Sequence, residues 1–366
     1  MTIIPIFPKN KNKIRKNNMT RVSENTTNPP LKAKDFASNQ EVRWCPGCGD
    51  YSILKQLQSV LADIGVQKED VAIISGIGCS SRFPYYVDTY GMHSIHGRAP
   101  AIASGLRIAN PDLNIWVITG DGDGLSIGGN HFIHVLRRNI NLNIMLFNNE
   151  IYGLTKGQYS PTSEQNKITK STPMGSLDYP MNPLALALGA NATFVARSMD
   201  RDAKHLRSML KRSNEHQGTS LLEIYQNCNI FNDGAFFAFT DKKTKKATTM
   251  FVEHEKPLVF GQNNEFGIRI DGWKPQIVNL ETSEYSVEDL WIHDEKDLFK
   301  AQMLARFFDD PKANENFFPR PFGVLYAIER DCYDDLLHAQ VAQAVEQKGT
   351  GNLDDLIAGS QTWTIA

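Results

Sequence analysis

Four cysteines have the chemistry and the positions to bind a metal ion or a cluster: Cys45, Cys48, Cys79 and Cys228. The first two form a C-P-G-C pair, which is found in half zinc sites, in redox dithiols and in cluster sites. A redox dithiol of the thioredoxin type is disfavoured, because such a pair follows a strand and this one follows a polar segment. Four thiolates can hold zinc or a [4Fe–4S] cluster, and spacing alone does not decide between them. The fifth cysteine, Cys332, is interpreted as a thiol without a role.

A Gly-Asp-Gly-Asp turn at 120–123 predicts a metal–diphosphate site. Its glycines let the backbone turn tightly and approach a diphosphate closely. Asp121 and Asp123 would repel a bare diphosphate, but a divalent cation between carboxylate and phosphate removes the conflict, and Mg2+ suits such oxygen ligands. Asn149, one crossover helix and one strand later, is a second candidate ligand, and the Ile151 carbonyl is a third. A calcium EF-hand is excluded, because the acidic residue, the glycine and the glutamate that its loop requires are missing.

The elements around these residues alternate as strand, helix and strand, which predicts a parallel sheet with right-handed crossovers. Strands are predicted over 71–75, 114–119, 142–147 and 220–225, and helices over 51–64, 98–109, 126–138, 183–190 and 202–213. Asp50 is the predicted N-cap of the first helix. Ligands bind outside the carboxyl ends of such strands. The Cys79 loop, the 120–124 turn and the Asn148–Asn149 loop all follow strands, so they should meet at one edge.

Composition limits the possible classes of protein. The chain has 366 residues, a hydrophobic fraction of 41% and a charged fraction of 22%, as in an ordinary globular protein. A formal net charge of −2 argues against broad nucleic-acid binding. No apolar stretch approaches the roughly 20 residues that span a bilayer, so no membrane contact is expected. A CxxC without a signal peptide predicts reduced thiols that serve as ligands and a cytoplasmic location.

Three segments are distinguished along the chain. Residues 1–35, rich in Asn, Lys, Thr and Pro, are predicted to be a disordered polar tail, and translation could start at Met19. Residues 36–234 carry every chemical motif. Residues 235–366 contain a charged break at 242–246 and short alternating stretches typical of small β elements. They are interpreted as a C-terminal extension that covers the core or contacts another subunit.

With these motifs in view, the chain resembles the β subunits of 2-oxoacid:ferredoxin oxidoreductases, and among them the 2-oxoglutarate enzymes. The resemblance covers about residues 40–240. Its motifs are W-C-P-G-C-G-D at 44–50, G-I-G-C-S-S at 76–81, H-G-R-A-P at 96–100, G-D-G-D at 120–123, N-N at 148–149, Y-G-L-T-K-G-Q at 152–158 and E-I-Y-Q-N-C at 223–228. It implies an α/β, parallel-sheet fold of the diphosphate-binding type, with helices on both faces and a C-terminal extension.

The resemblance also implies the cofactors: thiamine diphosphate, Mg2+ and one [4Fe–4S] cluster. The implied cluster ligands are Cys45, Cys48, Cys79 and Cys228, and the implied Mg2+ ligands are Asp121, Asn149 and the Ile151 carbonyl. The implied cofactor-lining residues are Ile77, Gly78, Cys79, Ser80, His96, Gly122, Asp123, Gly153 and Leu154. The implied reaction is oxidative decarboxylation of 2-oxoglutarate with coenzyme A to succinyl-CoA and CO2, with electrons passing through the cluster to ferredoxin. The reverse carboxylation would use the same residues.

Two cations, Arg82 and Lys156, are candidates for binding the carboxylates of a dicarboxylic 2-oxoacid. Family members often carry Lys at the position of Arg82, and either cation could instead neutralise phosphate or cluster charge. No catalytic residue is expected on this chain alone. The glutamate that activates thiamine should come from an α subunit with the pyrimidine-binding domain, in an α2β2 assembly, so the chain should be active only with that partner.

Three alternatives remain open at this point. The same reaction could act on pyruvate or another 2-oxoacid. A non-oxidative thiamine decarboxylase or synthase would need no cluster, which leaves the four cysteines unexplained. A zinc-stabilised, non-redox thiamine-binding subunit would keep the cysteines without electron transfer.

Overall fold

The computed structural model describes residues 30–312, 314 and 316–363, and it is built around an eight-stranded sheet. The strands, in chain order, are β1 (Val71–Ser75), β2 (Tyr90–His93), β3 (Asn114–Gly120), β4 (Leu142–Asn148), β5 (Phe194–Met199), β6 (Thr219–Tyr225), β7 (Thr249–Val252), β8 (Val259–Phe260), β9 (Phe266–Asp271), β10 (Lys274–Asn279) and β11 (Arg320–Ala327). The order in the large sheet is β2-β1-β3-β4-β6-β5-β11-β7. All its neighbours are parallel except β5 and β11, which run antiparallel.

The described residues form eleven α-helices, and several of them cover the two faces of this sheet. They are α1 (Asp50–Asp63), α2 (Phe83–Tyr86), α3 (Ala99–Ala109), α4 (Gly129–Arg138), α5 (Pro183–Gly189), α6 (Ala203–Glu215), α7 (Phe237–Thr240), α8 (Lys245–Thr248), α9 (Leu298–Ala305), α10 (Tyr333–Lys348) and α11 (Leu353–Ala358). One core packs α3, α4, α5 and α9 against the sheet, and a second packs α1 and α6 against its other face. The predicted parallel α/β fold with helices on both faces is confirmed.

The central strands formed close to where the sequence predicted them. Every residue of β1, β4 and β6 is buried, as expected for parallel strands that are covered on both faces. The predicted and observed bounds agree within a residue for these three strands. The hydrophobic effect favours such runs only in the centre of a layered sheet, which explains why sequence alone located them.

Two local predictions were wrong at helix starts. Asp50 does not cap α1: the N-cap is Gly49, no side chain accepts a hydrogen bond there, and the Asp50 side chain is buried as the first helical residue. The helix predicted from Ser126 begins instead at Gly129, because residues 123–127 form a wide π-helical turn. Such turns are often found at functional sites, and this one carries Asp123.

The C-terminal part of the chain contributes strands to the large sheet and also forms a second, smaller sheet. Strands β7 and β11 complete one side of the large sheet, while β8, β9 and β10 form a separate three-stranded antiparallel sheet. The expected tail over 1–35 and the question of Met19 fall mostly outside the described residues. Within them, Ala33–Phe36 form a 3-10 turn with Phe36 buried. In the part of the chain that is described, no helix is both long and apolar enough to span a membrane.

Candidate cofactor and cluster site

Three loops meet at the carboxyl ends of the neighbouring parallel strands β1, β3 and β4. Ser75 is in register with Ile118, and Gly120 with Phe147, so the three strands end side by side. The loop after β1 carries Cys79, the turn after β3 carries Asp121 and Asp123, and the loop after β4 carries Asn149. The predicted convergence of these loops on one sheet edge is therefore what the fold produces.

Asp123 ties these loops together through a buried carboxylate. Its Oδ1 accepts hydrogen bonds from the backbone N–H groups of Ile77 (3.0 Å) and Gly97 (2.8 Å) and lies 2.6 Å from Nδ1 of His96. Its Oδ2 accepts from the Thr119 hydroxyl at 2.6 Å. Because four groups from three segments converge on it, the Asp123 carboxylate holds these segments together at the sheet edge. The same carboxylate holds the His96 side chain at that edge.

Close packing makes two of the edge glycines indispensable. A Cβ on Gly76 would lie 1.8 Å from Asp123 Oδ2, and one on Gly122 would lie 2.2 Å from the ring of Tyr152. The Tyr152 hydroxyl donates to the Gly122 carbonyl at 2.9 Å. The backbone of the Gly-Asp-Gly-Asp turn is thus packed directly against an aromatic ring. This close packing leaves no room for a residue larger than glycine at position 122.

Asp121 is held by a loop that the sequence analysis did not single out. Its Oδ2 accepts from the hydroxyls of Ser160 (2.5 Å) and Thr162 (2.6 Å). Burial raises the pKa of the Asp121 carboxyl to about 6, and the two hydroxyl hydrogen bonds oppose that rise. A buried carboxylate that is costly to ionise without a counter-charge is a suitable ligand for a divalent cation.

A buried polar chain continues from this loop into the core. Thr162 Oγ1 also lies 2.9 Å from Asn148 Oδ1, and Asn148 Nδ2 donates to Glu223 Oε1 at 2.8 Å. Glu223 Oε2 in turn accepts from Arg197 Nε at 2.7 Å, and both of these side chains are fully buried. Breaking a buried pair of this kind leaves an uncompensated charge, so the ion pair holds Asn148 in one orientation.

One side chain, Gln226, connects the two predicted ligand sets. Its Oε1 accepts from Asn149 Nδ2 at 2.7 Å, and its Nε2 lies 3.2 Å from Cys48 Sγ and 2.7 Å from the Asn227 carbonyl. Asn149 Oδ1 also accepts the Ile151 N–H at 3.2 Å. The candidate Mg2+ ligand and a candidate cluster ligand are therefore separated by a single amide.

The four cysteines predicted as ligands share one neighbourhood. A Cβ on Gly153 would lie 3.6 Å from the sulfur atoms of both Cys79 and Cys228. Burial, then the nearby Asp50 carboxylate, raises the pKa of Cys79 to about 12, and the thiols of Cys228 and Cys45 add to the rise. Burial likewise raises the pKa of Cys48, with smaller effects of Cys228 and Cys79.

The cysteines' role as ligands stays a prediction. Among residues 30–312, 314 and 316–363, no three His, Cys, Asp or Glu side chains converge on one point as ligands of a single metal ion would. Cys45 is exposed, whereas Cys48, Cys79 and Cys228 are half-buried. Cys332 is buried elsewhere, at the start of α10.

The two candidate substrate cations lie in different surroundings. Arg82 lines a cavity of about 310 Å³ together with Gly78, Leu154 and His93. Lys156 is exposed on a turn with a left-handed backbone (φ 71°) and does not line that cavity. Arg82, but not Lys156, therefore lines this cavity together with Gly78 and Leu154, two of the residues predicted to line the cofactor.

Sequence reasoning missed Ser160, Thr162, Gln226 and Glu150. The first three are ordinary polar residues whose partners are distant in sequence, although Gln226 could have been suspected because it lies at the end of β6, two residues before Cys228. Glu150 has a left-handed backbone (φ 56°), and burial raises the pKa of its carboxyl to about 8. Carboxyl groups with perturbed pKa values are typical of functional sites, so Glu150 beside Asn149 supports this edge as the candidate site.

Comparison with known proteins supports the fold and identifies the family. Residues 76–224 match the C-terminal TPP-binding domain of thiamine pyrophosphate enzymes, which confirms the predicted thiamine diphosphate-binding fold. The chain is 51% identical over 344 residues to the 2-oxoglutarate oxidoreductase subunit KorB of Mycobacterium tuberculosis, which covers 93% of this chain and 90% of that protein. It is 42% identical over 209 residues to a 2-oxoacid:ferredoxin oxidoreductase β subunit of a Sulfolobus species, over 57% of this chain and 68% of that one.

A solved structure shows the same likeness over almost the whole fold. A chain of the 2-oxoglutarate:ferredoxin oxidoreductase from Magnetococcus marinus, with 2-oxoglutarate, coenzyme A and succinyl-CoA bound, superposes with a TM-score of 0.71 and 34% identity. The match covers 91% of this chain and 97% of that chain. This chain belongs to the β subunits of the 2-oxoacid:ferredoxin oxidoreductase family.

Proposed function

We propose that the chain is the β subunit of a 2-oxoglutarate:ferredoxin oxidoreductase. The assembled enzyme would decarboxylate 2-oxoglutarate oxidatively with coenzyme A, giving succinyl-CoA and CO2, and pass the electrons to ferredoxin. The observation that carries this proposal is the contact of Gln226 with both Asn149 and Cys48. Thiamine diphosphate and the cluster that accepts its electrons would then lie on opposite sides of the Gln226 side-chain amide.

The donor set at the sheet edge fits Mg2+ and a diphosphate. Asp121 and Asn149 supply a carboxylate and an amide oxygen, and the Ile151 carbonyl follows directly, all of them oxygen ligands of the kind that Mg2+ prefers. Gly78 has a left-handed backbone (φ 128°) and open space where a side chain would lie, so the loop after β1 leaves room for a ligand. When bound, thiamine diphosphate supplies the carbanion that attacks the 2-oxo carbon, and the cluster supplies one-electron transfer.

The cysteine group fits a cluster that lies beside that edge. Cys45, Cys48, Cys79 and Cys228 would hold it as thiolates. Trp44 orders this neighbourhood, since its indole N–H donates to the Cys79 carbonyl at 2.6 Å. The thiols, whose pKa values burial raises, would ionise in exchange for the positive charge of iron.

Arg82 is the residue of this chain best placed to select a dicarboxylic substrate. Its guanidinium makes no hydrogen bond or ion pair within the residues that the structure describes, yet it lines the cavity beside Gly78. An unpaired guanidinium at a cavity wall favours a carboxylate, which it can bind through two parallel hydrogen bonds. Lys156 would act at most at the rim, after a movement of its turn.

The site needs a partner subunit to be complete. The similar Sulfolobus protein is a β subunit, which supports assembly with an α subunit that carries the pyrimidine-binding domain. The glutamate that activates thiamine would come from that subunit, and this chain would contribute the diphosphate grip, the cluster ligands and Arg82. An α2β2 assembly is part of the proposal.

The test is an anaerobic preparation of the complex of this chain with its α subunit. About four irons and four sulfides per β chain, with a reducible EPR signal, are expected. The Cys228→Ser variant should lose that signal, whereas the same substitution at Cys332, a buried cysteine outside the group, should keep it. Zinc without iron would overturn the electron-transfer assignment.

The substrate is tested in the same preparation. Substrate-dependent ferredoxin reduction should be fastest with 2-oxoglutarate, and Arg82→Ala should raise KM for 2-oxoglutarate more than KM for pyruvate. Equal or faster turnover of pyruvate by the wild-type complex would refute the 2-oxoglutarate assignment and leave the rest of the reaction standing.

A further inference from the structure

We propose that a basic surface beside the Cys45–Cys48 turn docks a small acidic electron-carrier protein. The basic surface consists of Arg201, Lys204, Arg207 and the lysines at 242, 243, 245 and 246. This inference rests on the proposed function, which requires an exit for electrons, and it identifies where that exit lies.

The first half of this surface is attached directly to the cysteine turn. Asp200, the residue before Arg201, accepts a hydrogen bond from the Ser52 hydroxyl to its carbonyl at 2.6 Å. Its carboxylate accepts the Asn227 N–H at 2.9 Å and packs so closely on Gly49 that a Cβ there would lie 1.9 Å from Oδ2. Residues 201–207 therefore begin where the C-P-G-C-G segment ends.

The second half of the basic surface is the lysine segment at 242–246, which has no role in the proposed active site. Lys245 Nζ forms an ion pair with Asp202 Oδ2 at 2.7 Å, which brings the lysine segment onto residues 201–207. The Arg201 guanidinium also lies over the ring of Phe237 at 4.4 Å, in helix α7, which directly precedes the lysine segment. The basic surface is thus continuous in space although its halves are about 40 residues apart in sequence.

Part of its charge is uncompensated. The side chains of Lys204, Lys242 and Lys243 are exposed, and in the described part of the chain they form no ion pair. The nearby acids include Asp202, which Lys245 neutralises, and Asp241, which accepts the Lys243 backbone N–H. Asp200 lies near Arg201, and Glu265 lies near Lys246. The surface is locally positive although the formal net charge of the chain is −2.

Position and charge together select the partner. Cys45, Pro46 and Gly47 are exposed, so a protein seated on the basic surface would reach the turn that carries two of the proposed cluster ligands. Such a partner must be acidic, because complementary charges steer association and orient the encounter, whereas like charges suppress it. A ferredoxin of strongly negative net charge has the required chemistry.

The experiment compares two double variants of the assembled complex. K242E/K243E reverses two exposed lysines of the basic surface. K296E/K312E is the matched control: Lys296 and Lys312 are also exposed, each follows an aspartate two residues earlier, and each donates its backbone N–H to that aspartate as Lys243 does to Asp241. Both variants change the net charge equally. The readouts are kcat/KM for an acidic ferredoxin at several salt concentrations, the rate with saturating methyl viologen, and KM for coenzyme A.

For K242E/K243E we expect kcat/KM for ferredoxin to fall roughly tenfold at low salt, with a flatter salt dependence. Viologen reduction should stay within twofold of wild type, and K296E/K312E should match wild type throughout. An unchanged ferredoxin kcat/KM, or an equal fall in the control, would overturn the inference. So would a raised KM for coenzyme A alone, which would assign the surface to phosphate binding. A wild-type complex that reduces neither acceptor would refute the proposed function, and the docking inference with it.

Discussion

Replacing Thr162 by Val tests whether the loop at 160–163 positions the candidate metal ligand Asp121. Valine keeps the shape of the side chain and removes only the hydroxyl, which lies 2.6 Å from Asp121 Oδ2 and 2.9 Å from Asn148 Oδ1. The Thr162 side chain is 1% exposed, so water cannot replace the lost donor. The Ser160 hydroxyl would remain the one side-chain donor to this oxygen.

The magnitude follows from the kind of hydrogen bond that is lost. A hydrogen bond to a charged group contributes about 1.5–3 kcal/mol, and a buried carboxylate left short of a donor loses that amount in full. Residues that orient metal ligands change metal affinity by about 10- to 100-fold when they are mutated, which is the same free energy expressed as binding. We therefore expect Thr162→Val to weaken Mg2+-dependent binding of thiamine diphosphate by about 10- to 100-fold.

The assay is calorimetric titration of thiamine diphosphate into the α-subunit complex at saturating Mg2+, with thermal unfolding as the check on folding. Thr162→Ser restores the hydroxyl and should bind within a fewfold of wild type. Thr240→Val is the matched control, since that buried hydroxyl donates to the Phe236 carbonyl within its own segment. Wild-type affinity in Thr162→Val would refute the positioning role, and so would an equal loss in Thr240→Val.

Two further predictions concern packing and pH. Gly76→Ala would place a Cβ 1.8 Å from Asp123 Oδ2, so chemical denaturation should show that the free energy of unfolding falls by several kcal/mol. The control is Gly105→Ala, which has open space around its helix position and should be neutral or stabilising by up to about 1 kcal/mol. Equal effects of the two substitutions would contradict the close approach at Gly76. Burial lowers the pKa of His205 from 6.5 to about 4, so the native state binds fewer protons than the unfolded state between those pH values. The free energy of unfolding should therefore fall as pH falls through that window, by roughly 1–3 kcal/mol once solvent screening is allowed for. His205→Gln should reduce this dependence of the free energy of unfolding on pH, whereas substitution of the exposed His134 by Gln should not. The measurement is denaturant titration at pH 4.5 and 6.5. The same pH dependence in His205→Gln and wild type would contradict the prediction.

Sequence reasoning located the central elements because local patterns specify them. The apolar runs at Val71–Ser75 and Leu142–Asn148 are buried on both faces, and such runs are stable only inside a covered sheet. Once strands and crossovers alternate, handedness and strand direction place every loop at a strand's carboxyl end on the same edge. The meeting of the Cys79 loop with the Gly-Asp-Gly-Asp turn followed from those rules without coordinates.

Features that depend on contacts distant in sequence could not be found this way. Asp50 has the chemistry of an N-cap, but it is buried beside Cys48, so packing overrode its local preference. The start of α4 moved because Asp123 is used by groups from three other segments, which imposes a wide turn on the residues after it. In both cases the local sequence pattern favoured the predicted helix start, but tertiary contacts of the same residues determined the conformation.

The sequence by itself determined the kind of chemistry: which residues can be thiolate ligands, which can hold a metal and a diphosphate, and on which edge of a parallel sheet they lie. Residue type and strand order are enough for that, because both are encoded locally. Only the tertiary structure decided how those residues are supported and connected. Three features depend on segments that meet only after folding: the hydroxyl of Thr162 on Asp121, the Gln226 amide between Asn149 and Cys48, and the ion pair of Lys245 with Asp202.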